Sequence, residues 1–152
     1  KGSGYHQKIE MAGGDNIFAD LATQYPAVDP EAILVKDPEI VIKLVGHTNS
    51  SIANGYSVDD SSSMQDLRGR MMSRPGWSNL TAVRNGQVYI ISNEIYGGSH
   101  FFVGVSYLAK IFYPKLLPDL DPKAIHQEYI TRFQGIGQDL DKHGVFVVPE
   151  VD

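Results

Sequence analysis

Apolar residues in this chain recur three or four positions apart in some segments and run together in others, and the two patterns alternate as helix and strand do. Residues 5–12 carry a helical pattern that Ser3 can cap and Gly13-Gly14 can end in a left-handed turn. Residues 16–22 follow as a short helix with Ile17, Phe18 and Leu21 on one side. Asp29-Pro30-Glu31 is a strong helix start: an N-cap acid, proline in the first helical position and an acid in the first turn. Pro38 disfavours helix at Asp37, so this helix stops near Lys36. Residues 40–45 are apolar except for Lys43, which suits a parallel strand covered on both faces.

Met64, Leu67 and Met71 stand at helical spacing ahead of Pro75-Gly76. In residues 81–91, Asn85-Gly86 separates Ala82-Val83 from Val88, Tyr89, Ile90 and Ile91, which predicts a short arm, a tight turn and a core strand. Residues 100–112 predict a helix whose buried stripe is Phe101, Val105, Leu108 and Phe112, widened by Tyr107 and Ile111. Asp121-Pro122 opens another, with Ile125, Tyr129, Ile130 and Phe133 inward. Residues 145–148 are a last short strand before Pro149. The order predicts an α/β fold, a three-layer α/β/α sandwich with a mainly parallel central sheet. Lys1-Gly2-Ser3-Gly4 has no initiator methionine and reads as the continuation of a longer chain, with one more strand ahead of it.

A chain of 152 residues is one domain's worth and buries roughly two-thirds of its unfolded surface without staples. Hydrophobic residues at 42% with 20% charged exclude disorder. A net charge of −5 argues against a nucleic-acid partner, whose phosphates need basic side chains. The absence of cysteine removes thiolate nucleophiles, thiolate zinc and iron–sulfur ligation. No apolar run approaches the ~20 residues that span a bilayer.

Enzyme signatures are missing. Gly97-Gly98-Ser99-His100 sets serine beside histidine, but neighbours on one chain do not point at each other, and no nucleophile elbow occurs. His6, His47, His100, His126 and His143 lack zinc-ligand spacing, and His126 and His143 read as surface or helix-end side chains. Three loops are better candidates, because open α/β sheets bind ligands beyond the carboxyl ends of their strands. They hold Ser3, Tyr5 and His6; His47, Thr48 and Asn49; and Tyr96, Ser99 and His100. Glycine, hydroxyl, imidazole and aromatic groups together suit a polar, partly flat ligand, although glycine, serine and asparagine are also ordinary loop residues. Arg74 before Pro75 is a candidate for an anionic group or a solvated loop side chain. Glu31 is explained by the helix dipole alone.

A family resemblance adds to this. Ala12-Gly13-Gly14-Asp15-Asn16-Ile17-Phe18-Ala19-Asp20 resembles the A-G-G-x-N-I-x-A-D signature of class III substrate-binding proteins of ABC importers. Pro26-Ala27-Val28-Asp29-Pro30-Glu31-Ala32-Ile33-Leu34, Asp37-Pro38-Glu39-Ile40-Val41-Ile42 and the block from Pro75 to Tyr89 resemble three further family segments in the same order. The likeness runs from Gly2 to Leu117, and Lys142 to Pro149 is similar to an extension of some prokaryotic members.

The resemblance implies one lobe, the C-terminal one, of a two-lobed protein that holds its ligand in the cleft between lobes, with residues 1–152 as a single domain. It implies capture rather than catalysis: an extracytoplasmic monomer, without a cofactor or metal ligands of its own, that carries a pre-chelated iron complex to a membrane permease. Cobalamin or haem are alternative cargoes. A lobe of a metallocluster oxidoreductase or hydrolase, or a sensor or adaptor domain, are alternatives of another class. Glu31 stands where the family places an acid that meets permease arginines, and the three strand-end loops fall where the family's cleft lies.

Overall fold

The computed structural model describes residues 3–46 and 51–151. Three strands form one sheet in the order β1-β2-β3, with β1 spanning Val41–Val45, β2 Val88–Ser92 and β3 Val147–Val148. β1 and β2 run parallel from Val41 opposite Val88 to Val45 opposite Ser92. β3 is antiparallel to β2, pairing Val148 with Ile90 and Val147 with Ile91. The longer pairing is parallel, as the apolar runs predicted, and the last strand is shorter than expected and reversed. Val145 makes only an isolated bridge, to Gly55.

The strands alternate between two apolar layers. Ile42, Leu44, Tyr89, Ile91 and Val147 face one layer, built with α1 (Gly4–Met11), α5 (Asn93–Tyr96), α6 (Phe101–Phe112) and α7 (Pro122–Arg132). Val41, Val45, Ile90 and Val148 face the other, built with α2 (Pro30–Lys36), α3 (Ser62–Met72) and α4 (Thr81–Arg84). All five residues of β2 are buried between them. This is the helix–sheet–helix body the element order required.

Local rules placed several helix ends. Ser3 Oγ accepts the His6 N–H, Asp29 accepts the Glu31 N–H ahead of Pro30, and Asp121 accepts the Ala124 N–H ahead of Pro122.

Four expectations need correction. Residues 16–22 form turns rather than a helix, because Asn16 Oδ1 takes the Phe18 N–H at 3.0 Å and competes with helical bonding. Residues 81–84 are a helical turn, not a hairpin arm. The Asp37 carboxylate accepts the Thr81 N–H at 2.7 Å and the Thr81 hydroxyl at 2.8 Å, capping α4 from a distant segment. Asn85-Gly86 then closes that turn, with Gly86 at φ 70°; a helix C-terminus and a tight hairpin both want this dipeptide.

The buried stripe of α6 is Val103, Gly104, Tyr107, Leu108 and Ile111, while Phe101, Val105 and Phe112 are half-buried. The helix is turned so that Gly104, which has no side chain, faces α5 at close range. Phe133, just past the end of α7, is 71% exposed, and His126 within that helix is fully enclosed, reversing the expected roles of both.

Candidate functional site

Parallel strands deliver their following loops to one end of the sheet. Gly46 leaves β1 there and Asn93 leaves β2, and the start of α1 joins them through contacts with α5 and α6. His47, Thr48 and Asn49 lie outside the described residues.

The rest of the candidate set sorts by role. The rings of Tyr5 and Tyr96 stack at 5.6 Å, and the Tyr96 hydroxyl donates to the Tyr5 carbonyl at 3.3 Å. Burial first, and then Tyr5, push the Tyr96 phenol up to about 12, so it stays a protonated donor. Ser3 is buried and spent on its cap. His6 is also buried, with Nδ1 3.3 Å from Asn16 Nδ2 and Nε2 3.4 Å from Glu10. These two hold α1 in place and offer little to a ligand.

His100 turns Nε2 to the Glu94 carbonyl and lays its ring 5.4 Å from that of Tyr129. Ser99 is exposed beside it. Arg74 is not part of this group. It follows the C-terminal end of α3, where the chain turns back toward the start of β2, and its guanidinium lies 5.0 Å from the Trp77 ring. Glu31 is exposed on α2.

Sequence reasoning missed the residues that brace this end. Ser92, the last residue of β2, donates to Asn54 Oδ1 at 2.6 Å inside the protein, and Asn54 donates to the Ile52 carbonyl. Glu94 accepts the Tyr56 N–H at 3.0 Å. Tyr56 carries the link inward, its hydroxyl 2.6 Å from His126 Nε2. Burial above all, then the nearby Glu94 charge, raises the Tyr56 phenol to about 12.

The His126 ring packs edge-on against Phe146 at 4.7 Å, and its Nδ1 has no partner among the described residues. Burial, reinforced by His100, pushes the imidazole down to about 4, so it is neutral near pH 7. No sequence signal marked His126, because its enclosure depends on Tyr56 and Phe146, both remote in the chain.

Missed too was Lys8. Its ammonium donates to the Tyr96 carbonyl at 2.5 Å and lies 4.8 Å from the centre of the Tyr96 ring, 5.7 Å from Phe101 and 5.8 Å from Tyr5.

An open cavity of about 910 Å³ lies on the β3 flank between α3, α7 and residues 140–151. Several of its charged groups already have partners: Lys123 with Asp141 at 2.8 Å, Lys142 with Asp139 at 2.7 Å, and Arg68 on the Val88 and Gly86 carbonyls. Size alone does not make it a site. The strand-end loops, with exposed rings and an unmatched cation, are the better candidate.

The fold and these loops define a class, an α/β layered body with an aromatic and polar rim at the carboxyl ends of its parallel strands. The chain belongs to the periplasmic binding protein family, whose profile matches residues 2–95. The family is one of solute-binding proteins found outside the cytoplasm. Over 86 residues the chain is 33% identical to a vitamin B12-binding protein of Vibrio cholerae, which covers 57% of this chain and 24% of that one. A 42-residue stretch is 43% identical to the vitamin B12-binding protein of Salmonella paratyphi A, covering 28% of this chain and 16% of that one.

Among solved structures, the TroA-like periplasmic binding protein FepB from Veillonella parvula superposes with a TM-score of 0.82 at 29% identity, over 96% of this chain and 42% of that one. The molybdate-binding MolA of Haemophilus influenzae shares the fold, with a TM-score of 0.67 at 18% identity over 91% of this chain and 39% of that one. The chain therefore spans about a quarter of the length of the Vibrio relative and less than half of either solved protein.

Proposed function

We propose that this chain is the C-terminal lobe of an extracytoplasmic solute-binding protein, monomeric, that captures an iron complex of siderophore type and hands it to the permease of an ABC importer. The observation that carries the reading is the pairing of Tyr5 with Tyr96, 91 residues apart in sequence, at the strand ends of a chain that belongs to the periplasmic binding protein family. One lobe offers one wall of a cleft. In this reading the metal arrives already chelated, so the wall of the cleft meets the chelate rather than the ion. Cobalamin is the second reading, favoured by the vitamin B12-binding relatives.

Glu31 is the proposed docking acid: exposed in the first turn of α2, it is free to meet an arginine of the permease. Glu31→Ala is expected to leave chelate affinity within about twofold and to reduce permease-dependent iron uptake several-fold, since a charge-assisted pair is worth ~1.5–3 kcal/mol. Fluorescence titration with a ferric siderophore, beside uptake of radioactive iron in cells, measures both. An affinity loss as large as the uptake loss would put Glu31 in the cleft and end the docking assignment.

A further inference from the structure

We infer that Lys8 is the charge-selecting residue of the rim, and that with the row of rings Tyr25, Tyr5 and Tyr96 it favours an anionic chelate bearing flat aromatic groups, the chemistry of catecholates. This rests on the reading of the strand-end loops as the ligand-binding end. The three tyrosines form a graded row. Tyr96 is 2% exposed, Tyr5 stacks on it and is 39% exposed, and Tyr25 meets Tyr5 edge-on at 6.0 Å and is 68% exposed.

The inner end of the row is structural, while the outer two rings present faces and edges to solvent. Such surfaces favour an offset or edge-on aromatic partner over an aliphatic one.

The charge beside this row is unusual. The Lys8 ammonium has three ring faces and a carbonyl around it, and no carboxylate of the described residues pairs with it. Glu10, two residues further along α1 and one turn from His6, is engaged with His6 instead. The rings already hold a cation of their own, so this is no cage for a cationic ligand: a second positive charge would be repelled. An anion is attracted, and it offsets the cost of partly burying the ammonium, whose pKa burial lowers. An aromatic anion is the one class that uses the ring faces and the unmatched charge together.

The test is side-chain and backbone NMR on the 152-residue chain, sensitive to millimolar binding. The probes are the gallium(III) complex of 2,3-dihydroxybenzoate, anionic and aromatic; gallium(III) desferrioxamine B, cationic and aliphatic; and cyanocobalamin. The catecholate complex is expected to move the signals of Tyr5, Lys8 and Tyr25. Lys8→Gln, which keeps a donor for the Tyr96 carbonyl, should weaken it roughly tenfold, and Lys8→Arg should restore it. Added salt should weaken the catecholate complex and not cobalamin, a check on the unmutated chain that does not depend on any variant folding.

Equal binding by wild type and Lys8→Gln, or desferrioxamine or cobalamin moving the rim signals as strongly as the catecholate does, would overturn the assignment while leaving the rim a ligand site. Silence of the rim toward all three chelates would overturn the rim reading itself, and this inference with it.

Discussion

Gly104→Ala is expected to destabilise the protein by about 1–3 kcal/mol, the usual cost of overpacking a filled interior. A Cβ built at Gly104 would lie 2.7 Å from the Ile95 carbonyl oxygen and 3.0 Å from the Tyr96 Cα. Both neighbours are backbone, so no rotamer change relieves the contact. α6 would have to move off α5, the element that carries Tyr96 to the rim. Gly69 in α3 is the control, since a Cβ there meets nothing within 4 Å. Gly69→Ala should stabilise by ~1 kcal/mol, because alanine restricts the unfolded chain and favours helix. Urea unfolding of the two variants checks the pair. Equal effects of one sign would show that α6 does not depend on close approach at Gly104.

The second large effect is a loss of stability in mild acid through His126. In the unfolded chain its imidazole takes up a proton near its ordinary value of 6.5, whereas the folded protein holds the proton off until about 4. Between those limits the unfolded state binds more protons, so stability rises with pH across the window. The contribution is complete above about pH 7 and is lost as pH falls toward 4. At roughly 1.4 kcal/mol per pKa unit, it amounts to about 3 kcal/mol.

The structural cause is visible in the partners. A charged ring carries N–H on both nitrogens, and His126 Nδ1 faces no acceptor among the described residues. Denaturant unfolding at intervals from pH 7.5 to 4, for wild type and His126→Phe, measures the slope. The variant should lose part of the pH dependence whatever its absolute stability. Parallel curves would mean that the ring gains access to water or an acceptor on protonation.

Where a feature depended on residues close in sequence, it was legible. Asp29-Pro30 and Asp121-Pro122 started helices as expected, since an N-cap and a proline at the first helical position act within one turn. The apolar runs of β1 and β2 became the parallel pair. Where two structures share one local signal, distant residues decided. Asn85-Gly86 serves a hairpin and a helix end equally well, and Asp37, 44 residues before Thr81, made it a helix end by capping α4.

The candidate site divides the same way. Tyr5, Tyr96 and His100 were singled out because ligands of open α/β sheets bind at strand-end loops, and the rings of the first two pack together. Ser3 and His6 share their loop but are occupied in holding α1, which residue type does not reveal. Arg74 belongs to the far end of α3.

The sequence by itself determined where most helices begin, which segments are buried strands and which family the order of motifs resembles, because each is written in spacings of a few residues. Only the tertiary structure decided which face of α6 turns inward, that His126 is sealed away with Tyr56, and that Lys8 stands unmatched among rings contributed by α5 and α6. Those outcomes depend on contacts between segments tens of residues apart, and no local period encodes them.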